Sequence, residues 1–187
     1  MPCTGKACVV DFMGNAGFEG GRKIGFNKMS GILEFKDVIV LWVNMGGKNN
    51  DYDNEVSKLG ALRDGVATIG LTGGLFFTQF YDGGREVSWF GGSRMHKETP
   101  IIKKLVKWSR QRQTSQIHDL NDSGGSQAVV MWCRFVDGSN TEPYYFMGRC
   151  GYVTHDEDTH PIPFRFKLVD YDRIKTGEKF CSFANFK

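Results

Sequence analysis

The chain has 187 residues, 40% of them hydrophobic, and 24 Lys or Arg stand against 21 Asp or Glu for a net charge of +3. That length fits one domain with extensions and an ordinary core, not a string of independent domains. A balance this close to neutral does not by itself indicate a nucleic-acid partner, and the longest apolar run, Val38 to Val43, is far too short to span a bilayer.

Residues 1–35 are Gly-rich and weakly patterned, with a short strand expected at Val9–Met13. They read as an irregular N-terminal arm. Lys36 to Met45 is a strand. Its residues Val38 to Val43 are apolar without alternation, which suits a strand buried on both faces. A loop follows at 46–51, then a short helix is expected at Val56–Leu62. Val66–Leu71 and Leu75–Tyr81 read as strands around Thr72-Gly73-Gly74. Asp82-Gly83-Gly84 is a hairpin-type turn into Glu86–Phe90.

Thr99-Pro100 starts a helix, with Thr99 as N-cap and Pro100 at the first position. The helix runs to about Gln113. Ile101, Leu105 and Trp108 share one face, flanked by Ile102 and Val106. Lys103, Lys107 and Arg110 follow i, i+4, i+7 spacing on another. Ala128–Val136 is a second long strand, turned at Asp137–Asn140 toward Tyr144. Tyr144–Thr154 and the alternating Phe164, Phe166, Leu168 are two more, around an acidic, histidine-bearing turn.

The predicted fold is mainly β, of the α+β class. It has a strongly curved mixed or antiparallel sheet, or a pseudo-barrel, and one main helix near 100–113. The main domain covers 36–172, and 173–187 is a C-terminal tail without a clear period.

Charge is concentrated. Between Arg94 and Arg112 the chain places seven cations (Arg94, Lys97, Lys103, Lys104, Lys107, Arg110, Arg112) against one acid, Glu98, so the remainder is net acidic. The five Cys (Cys3, Cys8, Cys133, Cys150, Cys181) are odd in number and form no CxxC pair. With no secretory leader visible, reduced thiols and an intracellular location, cytoplasmic or nuclear, are expected.

Three stretches carry a family resemblance: VIVLWVNMGGKNNDY from Val38, VSWFGGSRMHKETP from Val87 and PYYFMGRCGYVTHDEDTHP from Pro143. Together they resemble an uncharacterised domain that lies C-terminal to superfamily-2 helicase and phospholipase-D-like nuclease modules in bacterial defence proteins. The resemblance leaves out 1–35 and 172–187. It implies a pseudo-barrel nucleic-acid reader similar in style to the PUA, SRA and B3 groups, and a place within a longer multidomain protein.

The cations of the helix and its approach fit contacts to a phosphate backbone, by Arg94, Lys97, Lys103, Lys107 and Arg110. The alternative is a solvated helix face. Trp89-Phe90-Gly91-Gly92 offers an aromatic for a flipped or single-stranded base. Phe90 is assigned to the core and Trp89 to stacking. Arg149, beside Gly148 and Gly151, reaches a base or phosphate in this reading, or simply faces outward.

His155, Asp156, Asp158 and His160, with Glu157, are metal ligands by type, but neighbours in a turn diverge, and a solvated acidic turn is the competing account. A Cys150–His155 hydrolase lacks a nucleophile motif. GNAGFEGGRK lacks the Gly-Lys-Ser/Thr end of a phosphate loop, so no cofactor is expected. The leading expectation is a non-enzymatic module that binds DNA, modified or flipped bases included. The alternatives are a small metal-dependent hydrolase or nuclease at the 155–160 turn, and a structural protein assembling through its sheet edges.

Overall fold

The computed structural model describes residues 2–15, 31–46, 68–69, 75–76, 78–92, 94–114, 127–137 and 140–185. In chain order the elements are β1 (Pro2–Cys3), α1 (Lys6–Asn15), β2 (Ile32–Glu34), β3 (Val38–Gly46), β4 (Thr68–Ile69), β5 (Leu75–Phe76), β6 (Phe80–Tyr81), β7 (Glu86–Phe90), α2 (Pro100–Thr114), β8 (Ala128–Asp137), β9 (Asn140–Thr141), β10 (Tyr144–His155), β11 (Pro163–Leu168), α3 (Tyr171–Ile174) and α4 (Glu178–Ala184). The helix expected at Val56–Leu62 and most of the strand expected at 66–71 lie outside the described residues.

Nine strands form one mixed sheet in the order β2-β3-β8-β10-β11-β7-β6, with β1 added to β10 and β9 to β8. The class is mainly β, as the strand patterns predict. The sheet is open, ending at β2 and β6, so the pseudo-barrel alternative is corrected to an open sheet among the described residues. Both ends are short, three and two residues, which makes them poor templates for edge-to-edge assembly.

Continuous apolarity in β3 has a direct cause. β3 and β8 pair in parallel from Val38↔Ala128 to Gly46↔Val136, and both faces of the pair are covered. Ile39, Leu41, Val43 and Met45 join one core with Val129, Met131 and Cys133, while Val38, Val40 and Trp42 join another with Val130 and Trp132. The first core is closed by Ile102, Leu105 and Trp108 of α2 and by Phe180 and Phe183 of α4. The second is closed by Val9, Val10 and Met13 of α1.

Two expectations are corrected here. Val9–Met13 is helical, because Val9, Val10 and Met13 fall on one helical face that the sheet buries, and packing overrides the β preference of a Val pair. The C-terminal tail carries a helix whose Phe180 and Phe183, three apart, enter the core.

The long strand β10 joins the two halves of the sheet. Its residues 145–149 pair with β8, and 150–155 with β11, with a register shift between Phe146 and Gly148. α2 packs across β10 and β8. It begins as its sequence predicts, with the Thr99 carbonyl accepting from the N–H groups of Ile102 and Lys103. The Thr99 hydroxyl turns back and accepts from the His96 N–H at 2.9 Å.

Candidate functional site

Burying Ile102, Leu105 and Trp108 fixes the rotation of α2 and leaves Lys103, Lys104, Lys107, Arg110 and Gln111 exposed on its outer side. Lys97 and Arg94, in the approach, are also exposed. The fold therefore leaves these cations exposed, and it adds two acids from outside the basic stretch, Glu34 and Glu157, to the local Glu98. Lys103 pairs with Glu98 at 2.5 Å, Lys97 with Glu157 at 3.6 Å, and Lys104 with Glu34 of β2. Among the described residues Arg94, Lys107 and Arg110 have no carboxylate partner. The hydrogen bond from Lys103, with its charge, holds the Glu98 carboxyl below the usual carboxylate range.

At the end of β10 this surface meets an aromatic and histidine cluster. The Arg110 guanidinium lies 4.4 Å over the Tyr152 ring. The Tyr152 hydroxyl is 2.8 Å from His155 Nδ1, and His155 Nε2 is 3.2 Å from Glu157 Oε1. The tautomer that satisfies both contacts carries its proton on Nε2, donating to the carboxylate while Nδ1 accepts from the phenol. The His155 side chain is only 8% exposed and its ring stacks on Phe164 at 5.1 Å. Sequence reasoning missed Tyr152 and Glu157 as partners. The tyrosine lies three residues and the glutamate two from His155, and only the strand end followed by a turn brings both onto the ring.

The 155–160 turn does not gather metal ligands. Asp156 accepts from the Asp158 N–H at 3.0 Å and from the Thr159 hydroxyl, which closes the turn on itself. His160 is exposed. Among the described residues no three His, Cys, Asp or Glu side chains group to hold an ion. The thiols of Cys133 and Cys150 are buried, and desolvation pushes both upward, Cys150 with help from the Asp170 charge. A thiolate nucleophile at Cys150 is therefore not supported.

Two assignments are corrected. Trp89 is 3% exposed and packs against Phe164 with ring centres 5.7 Å apart, whereas Phe90 is half-buried. The roles within the pair are reversed, because the first residue of Trp-Phe faces the core in the register Phe164↔Trp89. Trp89 offers no free face for a base. Arg149 is held by Asp170, through Nε at 2.9 Å and a terminal nitrogen at 2.6 Å. Its fork is occupied by a carboxylate, so it is a structural residue and not a reader of bases.

Compared with protein-family models, curated proteins and solved structures, the chain finds no match. The site is read from its geometry alone. Among the described residues no helix is long and apolar enough to cross a membrane.

Proposed function

We propose that the outer face of α2 binds a nucleic-acid backbone, with duplex DNA as the first ligand to test. One observation carries this reading: Lys103, Lys107 and Arg110 stand in a row on an exposed helix face, and Lys104, Arg94 and Lys97 are exposed as well. From Lys103 to Arg110 the row extends roughly 10 Å at 1.5 Å per residue. That matches about three phosphates of one strand at 3.4 Å each. The ion pairs with Glu98, Glu34 and Glu157 do not block such binding, since exposed ion pairs are weak, screened by salt, and yield to a phosphate.

With Trp89 in the core and Arg149 held by Asp170, this surface has no base-reading group among those the sequence nominated. Binding is therefore independent of sequence and of base modification. An intracellular setting and a place beside catalytic modules in a longer chain belong to the same reading. The test is a titration of unrelated duplex and single-stranded oligonucleotides at two salt concentrations. Expected are similar affinities for all duplexes and a log–log salt slope of about −2.7 for three contacts on B-DNA. Absent binding, or binding indifferent to salt, sinks the proposal.

A second reading, a hydrolase at the 155–160 turn, has the Tyr152–His155–Glu157 relay in its favour. A histidine held between a phenol and a carboxylate is oriented for proton transfer. It requires turnover of a phosphate ester that His155→Ala abolishes while the melting curve still shows a folded protein.

A further inference from the structure

Lys97 and Arg110, two cations of the proposed binding surface, are connected through side chains at the end of β10. The Arg110 guanidinium lies 4.4 Å over the Tyr152 ring, and the Tyr152 hydroxyl is 2.8 Å from His155 Nδ1. His155 Nε2 is 3.2 Å from Glu157 Oε1, and the other oxygen of that carboxylate is 3.6 Å from Lys97 Nζ. One acid thus serves both an imidazole and an ammonium. The imidazole is held in place, since its ring lies flat on Phe164 of β11 with centres 5.1 Å apart. Register fixes that contact, because His155 and Phe164 are partners across β10 and β11.

We propose that His155 is a proton-operated gate on Lys97, and that proton uptake by its ring strengthens nucleic-acid binding at the α2 surface. The inference rests on the α2 reading and adds a regulation to it.

Histidine is the side chain that exchanges a proton between about pH 5 and 8. While the ring is neutral, Nε2 donates to Glu157, and the carboxylate keeps its full charge for Lys97. On protonation both ring nitrogens become donors. The phenol oxygen can then accept from Nδ1, so neither contact of the ring is lost. Glu157 now meets a full positive charge at its nearer partner, and Lys97 is released toward a phosphate. The three groups together pass from neutral to one positive charge. The other charged groups around the ring are already engaged or point to water. Asp156 accepts from the Asp158 N–H and the Thr159 hydroxyl, and Arg165, next to Phe164 on β11, pairs with Glu86 at 2.6 Å. Asp158 and His160 are exposed in the turn. Proton and phosphate therefore favour each other's binding, and affinity rises as pH falls through the histidine range.

The experiment measures the affinity of the full chain for one labelled DNA duplex from about pH 5.5 to 8, at several fixed ionic strengths. Calorimetry in two buffers of different ionisation heat counts the protons exchanged. Expected in the wild type are binding about five- to tenfold tighter at the acid end, net proton uptake, and a salt slope steeper there by about 0.9, one further phosphate contact. His155→Gln should flatten the profile and remove the uptake. Glu157→Gln, at an exposed position, decides the question if the His155 variant does not fold. It should bind at about pH 8 nearly as tightly as the wild type binds at the acid end, with a flattened profile. His96→Gln and His160→Gln, both exposed, should keep the wild-type profile. If His96→Gln flattens it as much as His155→Gln does, the effect is general surface titration and the gate is overturned. A pH-independent wild type, or an unchanged profile in a folded His155→Gln, also overturns the gate, while the α2 reading stands on its salt slope. Absence of DNA binding at every pH sinks both.

Discussion

Arg149 and Asp170, twenty-one residues apart, are joined by three hydrogen bonds: the carboxylate accepts from Nε, from a terminal guanidinium nitrogen and from the Arg149 backbone N–H. The pair sits where β10 passes from β8 to β11, next to the register shift at Gly148. It anchors the chain leaving β11 to the strand that joins the two halves of the sheet.

Replacing Asp170 with Ala should therefore be costly. Breaking a buried pair costs about 3–5 kcal/mol, and partial exposure places this one near the lower end. The Arg149 side chain is 31% exposed and that of Asp170 12%. Burial alone would raise the Asp170 pKa, but the bonds from the Arg149 side chain and backbone outweigh it and hold the carboxyl below the usual range. A depressed carboxyl contributes stability that is present above its unfolded value, near 3.9, and is lost as pH falls through the folded value. Denaturant midpoints from neutral to acid pH should show this acid-side loss in the wild type and a smaller one in Asp170→Asn. Equal slopes would show that the pair is not what acid breaks.

Gly148 has φ +94°, and a Cβ built there would stand 2.9 Å from the Asp170 Cβ. Gly148→Ala should lose about 1–3 kcal/mol from the backbone conformation alone, with the clash added to it. Combined with Asp170→Gly, the clash disappears and the backbone penalty stays. The double mutant should lose less than the sum of the singles. Additive losses in a double-mutant cycle would place the strain elsewhere.

The parts of this fold legible in the sequence are those whose signal is local. Val38–Val43 and Ala128–Val136 read as buried strands because apolar continuity alone identifies them, and Thr99-Pro100 marks a helix start by backbone chemistry. What was not legible depends on partners far along the chain. Val9-Val10 reads as strand until the sheet supplies a surface for Met13 to share. Trp89 and Phe90 differ only in which faces Phe164, a fact of register. The cations from Arg94 to Arg112 look uncompensated because Glu34 and Glu157 lie outside the window. Arg149 looks available because nothing near it in the sequence announces Asp170, twenty-one residues away.

Trp89→Ala tests the core assignment directly. Truncating a buried Trp costs about 3–5 kcal/mol. In a chain of this size each kcal/mol moves the melting temperature by roughly 2–4 °C. Melting should fall by that combined amount, and any nucleic-acid binding should decline equally for duplex, single-stranded and modified oligonucleotides. A stable variant that loses one ligand class alone would return Trp89 to a stacking role.

The α2 reading makes its sharpest demand through charge changes of opposite sign. Lys103→Glu with Lys107→Glu should weaken DNA binding for every sequence and reduce the magnitude of the salt slope by about 1.8, or 0.9 for each lost phosphate contact. The helix should persist, since Glu forms helices as well as Lys does. Glu98→Gln should act the other way. It removes the carboxylate that holds Lys103 at 2.5 Å, and, because exposed ion pairs are weak, the gain in affinity should be small, at most about fivefold. A solvated face with no ligand predicts neither change. A general effect of net charge predicts that Glu178→Gln, exposed on α4, strengthens binding as much as Glu98→Gln does. Fluorescence anisotropy on one labelled duplex, across these variants at two salt concentrations, separates the three accounts. Equal gains from Glu98→Gln and Glu178→Gln would remove α2 as the binding surface.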